Sequence, residues 1–212
     1  MSIGSGISLD NEMIALWDLG NVVVQWNPDE ILRKLSLPPD KSSVVKELLC
    51  GGSRWLDLDR GVTTEAEVAK LIASESSLDV DEMLHCFDIV RDSLVDFPKS
   101  IELIGEMKAA GIPQYVLSNM STVNADYLRS RPYFDLFDGI VFSAAEKLIK
   151  PDTALFELVL DRYQLQAHQI VFIDDSLPNI EAAVSLGMNG VHFKASDNCY
   201  ARVRKFFPKL CQ

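Results

Sequence analysis

The hydrophobic positions of this chain change rhythm twice. A short apolar run, "MIALW", ends at Asp18 and reads as a strand; after "DLG" the chain stays apolar through Val22, Val23 and Val24. At "QWNPDE" the pattern shifts. Asn27 followed by Pro28 predicts an N-cap with proline at the first helical position. From there to about Phe97 the signals are helical. Asp40 is placed to cap "KSSVVKELLC", Thr64 and Glu67 form a capping-box pair, and Asp79 introduces "VDEMLHCFDIV" with apolar residues at three- and four-residue spacing. Between these helices "GGSRWLDLDRG" reads as a glycine-bounded loop or short helix, and no strand signal interrupts the segment.

From Pro98 onward helices and strands alternate. "KSIELIGEMKAAG" is an amphipathic helix ending at Gly111, "PQYVLS" a buried strand, "TVNADYLRS" a helix and "GIVFS" a strand. "PDTALFELVLDRY", "QIVFID", "NIEAAVSLG" and "GVHF" continue the alternation to a closing helix. The fold class that follows is α/β, with a Rossmann-like parallel sheet covered on both faces. Residues 1–26 and 97–212 form this core, and residues 27–96 are a helical unit inserted into it. Right-handed crossovers align the strand C-termini along one edge, where open α/β sheets bind their ligands.

Composition narrows the class. Nearly half of the 212 residues are hydrophobic, which describes a folded globular chain. The net charge of −11 disfavours nucleic acid and anionic membrane surfaces, but leaves room for a small anionic ligand in a local positive pocket. Cys50, Cys86, Cys199 and Cys211 have no metal-binding or disulfide-framework spacing and read as free thiols of a cytoplasmic protein. The first residues lack the basic and apolar regions of a signal peptide, and residues 1–11 read as a flexible leader. No apolar stretch approaches the ~20 residues that span a bilayer. A monomer and a homodimer both fit the sequence.

The strand ends carry the chemistry. Asp18 ends the first strand, Ser118 the second, and Asp174 with Asp175 ends "VFIDD"; Lys150 lies in "EKLIKPD", ahead of a helix. Singly, each is an ordinary turn, cap or surface residue. Together they put three carboxylates, a hydroxyl and an ammonium group around one crevice. Crowded carboxylates call for a divalent cation, and hard oxygen donors suit Mg²⁺, which bridges carboxylates to phosphate. Phosphoryl transfer is the chemistry that uses this set.

"WDLGN", "VLSN", "KLIKPD" and "FIDDSLPNIEAA" resemble, in order and spacing, the four motifs of the haloacid dehalogenase superfamily over residues 13–193. The resemblance implies that Asp18 is the nucleophile, Ser118 binds phosphate and Lys150 pairs with both the nucleophile and the transferring phosphoryl group. It implies Mg²⁺ held by Asp18, the Gly20 carbonyl and Asp175, with Asp174 in support, and it makes the helical insert the family's small cap. Asn119, next to Ser118, is a candidate contact to substrate or phosphate. The family's phosphatases carry an aspartate two residues after the nucleophile as general acid and base; here that residue is Gly20. General acid–base catalysis contributes about 10²–10⁴-fold, so its loss favours substrates whose leaving group departs easily, a sugar 1-phosphate over a 6-phosphate. "DLGNVVV" resembles a subgroup of bacterial phosphatases similar to α-D-glucose-1-phosphate phosphatase, whose first motif also has glycine there.

The expected activity is therefore a Mg²⁺-dependent phosphatase acting on a small phosphorylated metabolite, with a sugar phosphate as the expected class. A phosphometabolite-binding regulator and a metal-independent 2-haloacid dehalogenase are the alternatives. In the insert, Arg54 is a candidate for substrate anions or hydroxyls, Trp55 for stacking on a sugar, and Asp57 or Asp59 for the missing acid; the same residues also fit cap core and solvated helix surface. None of His85, His168 and His192 is assigned a role.

Overall fold

The computed structural model describes residues 12–211, so the leader read over residues 1–11 lies outside the described residues. Strand β1 (Ile14–Trp17) is buried along its whole length. Asn21–Val23 then turn, with Asn21 left-handed (φ 52°), so the three valines pack as a compact turn rather than prolonging the strand. Five helices follow: α1 (Pro28–Leu35), α2 (Pro39–Leu49), α3 (Ser53–Arg60), α4 (Glu65–Glu75) and α5 (Val80–Asp92). Asn27 caps α1 through the Glu30 amide, and both Thr64–Glu67 and Asp79–Glu82 close reciprocal capping boxes. Helix α2 starts two residues earlier than its sequence indicates. Pro38 occupies the cap position and Pro39 the first turn, where proline's fixed φ is already helical. Asp40 is therefore inside the helix, and its carboxylate accepts the Ser77 hydroxyl at 2.6 Å.

After the insert come α6 (Pro98–Ala109), β2 (Gln114–Ser118), α7 (Thr122–Arg129), β3 (Gly139–Phe142), the single turn α8 (Ser143–Glu146), α9 (Thr153–Tyr163), β4 (Ile170–Asp174), α10 (Leu177–Ser185), β5 (Asn189–His192) and α11 (Asp197–Lys205). The strands form one parallel sheet in the order β3-β2-β1-β4-β5. The chain leaves β1 towards β2 on one side and returns to β4 on the other. The topological switch, where such sheets open a crevice, thus lies between the C-termini of β1 and β4. Trp17 pairs with Ile173 in register, which brings Asp18 alongside Asp174.

Apolar clusters cover both faces of the sheet. The insert has a cluster of its own, built from Ile31, Leu48, Trp55, Ile72, Met83 and Phe87 among others. Helix α3 docks on α8 through its C-terminal end: the Ser143 hydroxyl donates to the Asp59 carbonyl, and Lys147 Nζ donates to the Gly61 carbonyl. Gly61 has φ +71°, and a Cβ there would lie 2.3 Å from the Ala144 carbonyl oxygen. Left-handed strain and collision with backbone act together at this position. Gly61→Ala is expected to cost about 1–3 kcal/mol, read as a lower denaturation midpoint in urea.

Candidate active site

The site assembles where the apolar strands run out. Asp18 is the first residue past β1, and its amide is bound to the Ile173 carbonyl at 2.9 Å, which fixes the carboxylate at the switch point. Lys150 reaches it from the loop before α9. Its Nζ lies 2.9 Å from Asp18 Oδ1 and 2.6 Å from Asp174 Oδ2, and it donates to the Leu117 carbonyl at 3.0 Å. The lysine and both carboxylates are buried. Burial pulls the ammonium down, but Asp174 and Asp18 outweigh it and hold Lys150 above the ordinary lysine range. Burial raises the Asp18 carboxyl, to about 6; Lys150 opposes this and Asp174 reinforces it.

The two aspartates that end β4 are held differently. Asp174 is saturated: Oδ1 accepts from the Ser176 amide at 2.7 Å, Asn179 Nδ2 reaches both oxygens at 3.0–3.1 Å, and Lys150 takes Oδ2. Asp175 is gripped through Oδ2 by Asn21 Nδ2 at 3.0 Å, and burial pushes its carboxyl up. Oxygen atoms of Asp18, Asp174 and Asp175 all lie within 4.8 Å of one another. Three carboxylates face one ammonium, and hard oxygen donors of this number fit a divalent cation such as Mg²⁺. Because Asp174 is spent on protein donors, Asp18 and Asp175 are the oxygens left for that ion.

Around this cluster opens a cavity of about 510 Å³, lined by Asp18, Gly20, Ser118, Asn119, Lys150 and Asp175 on the core side and by Trp55 and Asp59 from the insert. Ser118, at the end of β2, presents its hydroxyl to Asp18. Asn119 also braces the lysine loop. Its side chain donates to the Lys150 carbonyl at 3.0 Å and accepts from the Lys150 amide at 2.8 Å, which clamps the backbone that carries the ammonium. Trp55 joins the cavity wall, tilted against Trp26 with ring centroids 4.9 Å apart. Arg54 points elsewhere: it is ion-paired with Glu75 inside the insert, and the core cavity does not include it. Asp57 stays at the surface, 3.9 Å from Arg60.

Three supporting residues escaped the sequence reading. Asn21 and Asn179 orient the aspartates, and His192, at the end of β5, places Nε2 2.9 Å from the Asp175 carbonyl. "DLGN" and "DDSLPN" contain the two asparagines in plain view. His192 had a signal only through strand order, since β5 must lie beside β4 for Asp174 to pair with it.

The sequence matches the family described as haloacid dehalogenase-like hydrolase over residues 15–187. It is 30% identical over 185 residues to the sesquiterpene phosphatase astK of Aspergillus oryzae, covering 86% of this chain and 90% of that one. It is 27% identical to a phosphoglycolate phosphatase of Caulobacter vibrioides, covering 82% and 76% respectively. A solved HAD family enzyme of Bacteroides thetaiotaomicron, in complex with magnesium and inorganic phosphate, superposes with a TM-score of 0.71 at 22% identity, over 88% of this chain and 96% of that one. With its motif residues gathered at the switch point of a parallel sheet, this chain belongs to the haloacid dehalogenase-like hydrolases.

Proposed function

We propose that the protein is a Mg²⁺-dependent phosphatase that hydrolyses a small phosphorylated metabolite through an aspartyl-phosphate on Asp18. The observation that carries this reading is the buried Lys150 ammonium, 2.9 Å from Asp18 and 2.6 Å from Asp174, in a cavity with a third carboxylate close by. A bound Mg²⁺, held by Asp18, Asp175 and the Gly20 carbonyl, would neutralise phosphate charge and draw electron density from phosphorus. Asp18 then attacks phosphorus in line, while Lys150 and Ser118 hold the equatorial oxygens. The phosphatase names of the fungal and bacterial relatives and the magnesium and phosphate in the Bacteroides enzyme support the same assignment. Residues 27–96 act as a cap over a core made by the flanking segments, in the cytoplasm. A dehalogenase forms its ester on carbon and has no use for the acidic group at the end of β4.

For the substrate, Gly20 leaves the first motif without its acid. Where no other group supplies the proton, this favours an easily departing leaving group such as the anomeric oxygen of a sugar 1-phosphate, in line with the glucose-1-phosphate-type first motif. The outer wall supports a second class. Val24, Trp26, Trp55, Leu94 and Met120 line it, and apolar side chains hold an apolar alcohol better than a hydroxylated ring. The name of the fungal relative points the same way. Phosphate release from a panel of sugar 1-phosphates, sugar 6-phosphates and prenyl phosphates ranks these classes. Release is expected with Mg²⁺ and to fall to background in EDTA. Release undiminished by EDTA overturns the metal-dependent reading, and faster hydrolysis of 6-phosphates than of 1-phosphates removes the sugar 1-phosphate class.

A further inference from the structure

We propose that Asp59, on the insert, is the general acid and base that Gly20 does not supply, a reading that rests on the phosphatase activity proposed above. Helix α3 turns Trp55, Leu58 and Asp59 inward, and Asp59 lies in the wall of the cavity that holds Asp18, although 41 residues separate them in sequence. Asp59 is only 8% exposed. It accepts from the Ser121 amide at the start of α7 and from the Trp55 indole. Its backbone is pinned as firmly: the Ser143 hydroxyl donates to the Asp59 carbonyl and itself accepts from the Met120 amide at 2.8 Å. One core serine thus ties the Asp59 backbone to the loop after β2.

Two further observations point to the same role. A Cβ on Gly20 would meet nothing within 4 Å, so neither crowding nor a left-handed backbone demands glycine there; the position lacks an acid without lacking room for one. Asn124, on the turn of α7 that Ser121 opens, is buried in the cavity wall, and its Oδ1 has no hydrogen-bond partner among the described residues. A buried acceptor in the same cavity wall suits an alcohol that has just gained a proton.

The step balances simply. Asp18 Oδ bonds to phosphorus as the bond from phosphorus to the ester oxygen breaks, and the Asp59 proton moves to that oxygen, releasing the alcohol. Asp59, now a carboxylate, takes a proton from the water that attacks the aspartyl-phosphate. The phosphorus–Asp18 bond breaks, and inorganic phosphate leaves. Burial raises the Asp59 carboxyl to about 7, helped by the charge of Asp18 and opposed by the Ser121 amide, Trp55 and Lys150. It therefore keeps a large protonated fraction in neutral solution, the form the first step needs.

The test compares leaving groups. Hydrolysis of a simple alkyl phosphate needs the proton, whereas p-nitrophenolate departs without it. Asp59→Asn is expected to lower kcat/KM for the alkyl phosphate by about 10²–10⁴-fold, with a far smaller loss on p-nitrophenyl phosphate. Gly20→Asp added to Asp59→Asn should recover alkyl-phosphate hydrolysis. The unmodified protein gives an independent reading. Its kcat/KM for the alkyl phosphate should fall as pH rises through about 7, with no such limb for p-nitrophenyl phosphate. Equal losses on both substrates in Asp59→Asn, or identical pH profiles for the two in the unmodified protein, would overturn the proposal. Wild-type protein that hydrolyses neither ester would instead overturn the phosphatase reading.

Discussion

Asp18→Asn is expected to reduce turnover of every phosphate ester by at least about four orders of magnitude, roughly 5.5 kcal/mol of transition-state stabilisation. The substitution keeps size and shape but removes the lone pair and charge that attack phosphorus. It also deprives the divalent cation of one of its two free carboxylates. The fold should survive, because Lys150 keeps Asp174 at 2.6 Å and the Leu117 carbonyl at 3.0 Å. Thermal denaturation should place the variant at or above the wild-type midpoint, since one buried carboxyl whose charged form is disfavoured has gone. Loss of activity with full stability separates a nucleophile from a structural aspartate; a variant that retains turnover within tenfold contradicts the assignment.

Lys150→Met carries the second large effect, and it strikes stability as well as rate. Its ammonium is nearly inaccessible, and it is the cation that neutralises Asp18 and Asp174 in the metal-free protein. Removing it leaves two buried carboxylates facing each other, at a cost of about 3–5 kcal/mol. The sign with pH follows from linkage. Without the lysine the Asp18 carboxyl, which burial and Asp174 already raise, holds its proton still more tightly folded than unfolded, so the penalty is larger at pH 7 than in acid. It shrinks as pH falls through that raised folded value of Asp18, and it vanishes towards the unfolded value near 4. Urea denaturation at pH 7 and at pH 5 should show the deficit narrowing, and saturating Mg²⁺ should recover part of it at pH 7. A variant as stable as wild type at pH 7 would mean that the lysine does not compensate the acidic group.

Much of the site was legible because its main residues sit at strand ends, where local pattern and chemistry coincide. An apolar run halted by Asp18, another by Ser118 and a third by Asp174 and Asp175 needed only the rule that parallel strands align their C-termini. The capping box at Thr64 and the helix start at Asp79 were legible for the same reason, being local. What distance decides was not. His192 meets Asp175 only because β5 lies beside β4, and Ser143 meets Asp59 only because α3 docks on α8. The choice between Asp57 and Asp59 stayed open while the segment read as a loop or short helix. Its helical phase turns Asp59 rather than Asp57 inward, since Trp55, Leu58 and Asp59 share one face at three- and four-residue spacing and Asp57 does not. Arg54 lies off that face, which is why it pairs with Glu75 rather than with the cavity.

The stereochemical course at phosphorus tests the central claim most directly. A phosphorothioate ester, chiral at phosphorus through its sulfur and two oxygen isotopes, is hydrolysed in water carrying the third isotope, and the configuration of the inorganic thiophosphate is determined. Two in-line displacements, first by Asp18 and then by water, predict net retention. Inversion would show that water attacks the ester itself, and Asp18 would then be a residue that orients the reaction without ever being bonded to phosphorus.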